Sequence, residues 1–234
     1  MAKFSGKVAI ITGATGFLAS GVIPVFCDGD ASLVLSGDEE TLLNRFPQLA
    51  DTSKHLILPS VDLTNPDEIN ELVKNALTKF GQIDILVNIV GGWDAGKPTH
   101  ETSIDTWDQM MLLNSKITFL MSRAVIPNML ERGSGKIVNV GAKPGLSASG
   151  HDAAYAASKG AVLRLTESMS QEYKKQRINI NAVLPSTIVS PDRYAEDSTS
   201  GITPTQLGHV IAFLCSDEAS IIHGAIIPAY GQKF

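Results

Sequence analysis

The chain has 234 residues, 44% of them apolar and 18% charged, with a mean hydropathy of +0.10; it is long enough to bury an ordinary core and has the composition of a globular protein. Its net charge of −5, with no run of five or six basic residues, offers no footprint for nucleic acid or an anionic membrane surface. Cys27 and Cys215 stand far apart and without metal-ligand spacing, which argues against a disulfide framework or a zinc site and points to a reducing, cytoplasmic setting.

In chain order, Lys3 and Lys7 precede an apolar stretch that reaches Ile11. Thr12-Gly13 interrupts it, so it reads as a strand and turn rather than a leader peptide. The first apolar run, Val8 to Ile11, is followed by others at Ser32 to Leu35, His55 to Leu58, Ile83 to Val87, Lys136 to Val140, Ile178 to Leu184 and Ala225 to Pro228. Each has strand length, and the segments between them have helical length and spacing. This alternation predicts an α/β fold, a doubly wound parallel sheet of about seven strands with helices on both faces. No linker, repeat or low-complexity block divides residues 1–234, so one domain is expected. Asn65-Pro66 followed by Asp67 and Glu68, and Ser103 with Asp105, mark helix starts. Pro24 falls inside the first helix, where it should bend the axis. The segment from Ser190 to Pro204 is the least regular and reads as a mobile lid. No apolar run approaches the roughly 18 to 20 residues of a membrane helix.

Two local patterns carry chemistry. Between the first strand and the next amphipathic segment stands Thr12-Gly13-Ala14-Thr15-Gly16-Phe17-Leu18-Ala19. Small residues there let the backbone approach a pyrophosphate held by amides at a helix N-terminus, although a tight strand-to-helix connection would use the same residues. Tyr155 and Lys159 lie at i and i+4, on one face of a helix, where an ammonium can lower the phenol's pKa from its ordinary value near ~10. A pair of solvated surface side chains has the same spacing.

From Lys7 to Gly231 the chain resembles the short-chain dehydrogenase/reductase family, on the Gly-containing turn, Asn88-Ile89-Val90-Gly91, Asn114, Tyr155-Ala156-Ala157-Ser158-Lys159 and Pro185-Ser186-Thr187-Ile188-Val189-Ser190. The resemblance implies a Rossmann fold and a nicotinamide-dependent oxidoreductase acting on a small molecule. Gly13, Thr15, Gly16, Phe17 and Leu18 would then hold the pyrophosphate, with Ala19 in place of the last family glycine. Asp62 and Leu63 would contact adenine, and Asn88 and Gly91 would border the cofactor. Pro185 and Ile188 would flank the carboxamide, for which Thr187 and Ser190 are candidate contacts. Tyr155 would exchange the proton with substrate, Lys159 would hold the nicotinamide ribose, and Asn114 would hold a water relaying protons to Lys159. Asp38, after Gly37, favours NAD(H) over NADP(H), because an acid accepts ribose hydroxyl protons and repels a 2′-phosphate; Arg45 keeps NADP(H) open. The family also implies a homodimer or homotetramer, for which the apolar segment Gly224 to Tyr230 offers a contact.

One departure matters. Where the family carries its catalytic serine, thirteen residues before Tyr155, this chain has Ala142 within Gly141-Ala142-Lys143. Loss of one donor to a developing oxyanion costs roughly 3 kcal/mol. Dihydropteridine reductases resemble this segment, with Gly-Ala-Lys at the same spacing to a Tyr-x-x-x-Lys pair, which raises a conjugated C=N substrate beside a carbonyl or alcohol. Ser147, Ser149 and His151 are candidate replacement donors, with solvated loop side chains as the plainer reading. The substrate pocket is expected from Trp93 to Ser103, Pro144 to Ala154 and the Ser190 to Pro204 lid. Two other readings compete with an enzyme: a dinucleotide-binding sensor or scaffold without turnover, and a purely structural subunit.

Overall fold

The computed structural model describes residues 4–199 and 201–231. The chain enters through β1 (Val8–Ile11), α1 (Ala19–Asp28), β2 (Ser32–Ser36), α2 (Glu39–Arg45), β3 (Leu56–Leu58) and α3 (Pro66–Phe80). It returns through β4 (Ile85–Asn88), α4 (Ile104–Met110), a π-helical turn (Met111–Lys116), α5 (Ile117–Arg132) and β5 (Gly135–Val140). The last third holds α6 (Lys143–Leu146), α7 (Ala153–Tyr173), β6 (Ile178–Pro185), α8 (Pro191–Glu196), α9 (Pro204–Cys215) and β7 (Ile226–Ala229).

All strand pairings are parallel, in the order β3-β2-β1-β4-β5-β6-β7. Alternate residues of β1 feed two cores. Ala9 and Ile11 pack with Val22, Phe26, Leu207 and Ile211 of α1 and α9, while Val8 and Ile10 pack with Ile69, Leu72, Met121 and Val125 of α3 and α5. Covering both faces is why the strands read as continuous apolar runs. The seven expected strands are all present, with ends moved by at most two residues.

Local signals set the helix ends. Asn65 and Ser103 accept hydrogen bonds from Asp67 N–H and Thr106 N–H as side-chain caps, as their sequence contexts predict. α1 runs through Pro24 without a break in its assigned span. It meets α9 backbone to backbone: a side chain at Gly21 would overlap the Pro204–Thr205 peptide, and one at Gly208 would lie 2.8 Å from the Gly21 carbonyl oxygen. The segment expected to be an irregular lid contains α8, capped by Ser190, and is tied back by Val189 N–H to Ile202 O and Ile202 N–H to Thr187 O. Ser200 lies outside the described residues. Among the described residues no helix is long and apolar enough to cross a membrane, and no cluster of candidate metal ligands occurs.

From β1 the chain moves outward to β2 and β3, then returns to place β4 on the other side of β1. The two windings part at β1 and β4, and the crevice beyond their C-terminal ends is where an open α/β sheet holds its ligand.

Candidate active site

At that crevice the Thr12 hydroxyl ties β1 to β4, accepting from Ile89 N–H (3.1 Å) and Val90 N–H (3.3 Å). Gly13 follows at φ +69°, a left-handed conformation with its α-carbon so close to Val90 that a β-carbon would sit 3.1 Å from the valine side chain. The turn thus lies flat on the β4 end. Beyond it, the N–H groups of Phe17 and Leu18 have no acceptor among the described residues.

Two grooves meet at Gly13. One, of about 310 Å³, lies over β1 and β2 and is lined by Thr15, Ser36, Gly37, Asp62 and Leu63. The other, of about 420 Å³, lies over β4, β5 and β6 and brings together Gly16, Phe17, Leu18, Gly91, Tyr155 and Lys159. Trp93, Ala142, Pro185 and Ile188 complete its wall.

The Tyr155–Lys159 pair shares this second groove through one turn of α7. Lys159 is buried, and its ammonium donates to the Val140 carbonyl at 3.0 Å. Burial alone pulls its pKa down to about 8. α6 packs on the backbone here, since a β-carbon at Gly145 would lie 2.7 Å from the Lys159 carbonyl carbon. The phenol behaves differently from the sequence expectation. Burial, and then the Asp152 carboxylate, push Tyr155 up to about 12, and no lowering by Lys159 offsets them.

Asn114 sits fully buried in the π-helical turn and does not line the groove. Its amide grips both backbone groups of Gly92, accepting from the N–H and donating to the carbonyl, each at 3.1 Å, and donates to Ser158 Oγ at 3.0 Å. Ser158 in turn donates to the Tyr155 carbonyl at 2.8 Å. A β-carbon on Gly91 would fall 2.6 Å from Asn114 Oδ1 and 3.1 Å from Lys159 Nζ, so only glycine passes between them.

Several expected residues stand elsewhere. The Asp38 carboxylate caps α2 through Thr41 N–H (2.8 Å) and does not line either groove, because an Asp immediately before a helical segment finds the free amides first. Asn88 is buried behind the site, its amide donating to Asn139 Oδ1 at 2.9 Å across the β4–β5 register. Ser190 caps α8 and Thr187 is exposed outside the groove. Asp62 does line the first groove, with one carboxylate oxygen taken by Thr64. Ala142 lines the second groove, while Ser147, Ser149 and His151 do not: Ser149 donates to Asp152 and His151 faces a separate recess. Ser158 and Thr12 were quoted in the motifs without a role, and Arg45, expected near a phosphate, donates to Thr15 O at 2.7 Å.

A doubly wound sheet with a glycine turn at its switch point and a Tyr-Lys pair in the adjoining groove defines a dinucleotide-dependent oxidoreductase. The chain belongs to the short chain dehydrogenase family, whose model matches residues 7–199. It is 31% identical over 193 residues to an uncharacterized oxidoreductase of Staphylococcus saprophyticus, covering 82% of each chain. It is 30% identical over 245 aligned positions to 3beta-hydroxysteroid dehydrogenase 2 of Eggerthella lenta, covering 97% of this chain and 94% of that one. Among solved structures, levodione reductase superposes with a TM-score of 0.87 at 25% identity over 98% of each chain. NAD+-bound xylitol dehydrogenase matches the fold with a TM-score of 0.88 at 22% identity, over 98% of this chain and 99% of that one.

Proposed function

We propose that this protein is an NAD(H)-dependent reductase of a small conjugated carbonyl or C=N compound, with Tyr155 as the proton donor and Lys159 as the neighbouring cation. The observation that carries the reading is geometric: one turn of α7 brings the Tyr155 phenol into the same groove as the buried Lys159 ammonium. Burial makes that phenol a weak acid, pushed up to about 12, so the neighbouring ammonium would be needed to stabilise the phenolate left when the proton passes to substrate.

The residues fit a dinucleotide. Gly13 and Gly91 clear space that a β-carbon would fill, and the free amides of Phe17 and Leu18 supply donors for a pyrophosphate. Gly16, Thr15, Asp62 and Leu63 extend this cradle toward the adenosine end, and Pro185 and Ile188 close the nicotinamide end. When bound, the nicotinamide supplies the hydride. Lys159 orients the adjoining ribose by its ammonium, and Asn114 positions the Gly91–Gly92 backbone and α7 around it. NAD(H) is favoured by the Asp38 carboxylate, one residue beyond the groove-lining Gly37, which would repel a 2′-phosphate, while Arg45, donating to the carbonyl of the groove-lining Thr15, is the group that would favour NADP(H).

Ala142 decides the substrate type. With no side chain to donate from Ala142, and with Ser147, Ser149 and His151 off the groove, Tyr155 is the one hydroxyl donor among the groove's described lining residues apart from Ser186, which donates to Tyr230 O. A conjugated C=N or carbonyl bond needs less oxyanion stabilisation than a simple ketone. The same alanine favours a second reading, a dinucleotide sensor without turnover. We further place residues 1–234 in one cytoplasmic unit that assembles as a homodimer or homotetramer.

The test titrates NADH and NADPH calorimetrically and follows NADH fluorescence decay against ketones, quinones and imines. Tyr155→Phe is expected to cut turnover by about 10²–10⁴ while leaving cofactor affinity within about twofold. Unchanged turnover refutes the role of Tyr155, and binding without turnover in the parent protein selects the sensor.

A further inference from the structure

We infer that Trp93, on an anchored backbone, is a stacking surface for a flat conjugated ring carrying no full charge, and that such a ring is the substrate class of the catalytic groove. The inference rests on the reading of Tyr155 as proton donor.

Trp93 lines the groove with Tyr155, yet its side chain is 70% exposed. Phe17, on the same groove, is half exposed. An open indole on a loose loop would mean little. Here the backbone on both sides is anchored. Gly92 has both its N–H and its carbonyl bonded to the buried Asn114 amide. The Asp94 carboxylate accepts from Thr106 Oγ1 at 3.2 Å, and Gly96 N–H donates to His151 O at 2.6 Å. Through Asn114 and Ser158 the mount of Trp93 connects by hydrogen bonds to the backbone of Tyr155 itself. The main chain that carries the indole and the main chain that carries the phenol are therefore tied together, which lowers the backbone part of the ordering cost of binding.

Charge selects against ions. Among the described residues Lys159 is the one ionised side chain lining this groove, and its ammonium is buried against the Val140 carbonyl. An anionic substrate finds no free cation on this lining, and the Asp152 carboxylate that acts on Tyr155 lines the separate recess, where it accepts from Ser149. An uncharged flat ring covers the indole face, where aromatic pairing adds to area burial.

The test uses Trp107→Phe protein, which leaves Trp93 as its one tryptophan, saturated with NAD⁺. Menadione, a fused-ring quinone, is expected to quench Trp93 fluorescence saturably, and 2,3-butanedione to leave it unchanged at a hundredfold higher concentration. In turnover with NADH, Trp93→Ala should raise KM for menadione about tenfold with kcat altered less than about twofold, and Trp93→Phe should recover most of the loss. Trp107→Phe alone, whose ring lies outside the groove, should change neither constant. Absence of saturable quenching, or quenching by both compounds alike, overturns the inference, as does an unchanged KM in Trp93→Ala. Saturable quenching without NADH oxidation by either compound leaves the stacking site standing and instead defeats hydride transfer.

Discussion

Replacing Lys159 by Met should make the protein more stable and inactive together. The buried ammonium has its pKa lowered from the ordinary 10.5 to about 8 by burial. A shift of that size is worth about 3 kcal/mol at roughly 1.4 kcal/mol per unit. Below pH 8 the native state carries this full cost, because both folded and unfolded chains hold the proton. Between pH 8 and 10.5 the unfolded chain keeps the proton that the folded one has released, so stability rises with pH through that window and the cost is gone above it. Met fills a similar volume with no charge, but it strips the Val140 carbonyl of its 3.0 Å donor, a loss of about 1 kcal/mol. The net gain at pH 7 is about 2 kcal/mol, or close to 1 M in the urea midpoint for a chain of this size. Urea unfolding at pH 7 and pH 10.5 measures it. The reasoning fails if Lys159→Met is the less stable protein at pH 7, or if its advantage does not shrink at the higher pH.

Two further outcomes follow from named groups. Ala142→Ser restores a donor on the groove and should raise kcat/KM for a simple ketone by about a hundredfold while changing that for a conjugated imine far less; steady-state kinetics on both substrates separates them. His55 is buried, accepts from Leu33 N–H through Nδ1 at 3.2 Å, and has its pKa lowered by burial first and by Lys54 second. The unfolded chain therefore takes up a proton near pH ~6.5 that the folded chain refuses, so stability is full above that pH and falls as the pH drops below it. Urea midpoints measured between pH 5 and 7.5 should show that slope, and His55→Gln should flatten it.

The fold was readable because each strand buries both faces, so strands appear as short apolar runs with punctuation between them. The misjudged segment shows what was overlooked rather than what was absent. Ser190-Pro191 and Thr203-Pro204 are a capping residue followed by proline at the first helical position, the same signal correctly taken from Asn65-Pro66. Polar composition around them masked two helix starts. Asp38 likewise stands three residues before Thr41, a capping distance, and its carboxylate went to the helix.

The site divides along a different line. Tyr155 and Lys159 were legible because one helical period brings them to one face, whatever the rest of the chain does. Asn114 was legible as a residue but not in its action, since its two bonds to Gly92 span 22 positions and depend on a π-helical turn that has no sequence rule behind it. Through those bonds a side chain outside the groove governs what lines it. The amide expected to serve a proton relay is committed on both ends, to Gly92 and to Ser158, so it ties the main chain that carries Gly91 and Trp93 to α7 beside the phenol. On the proposed reading, a groove with Ala142 in place of a hydroxyl and an open indole at Trp93 would draw its selectivity from the shape and conjugation of what lies against that indole.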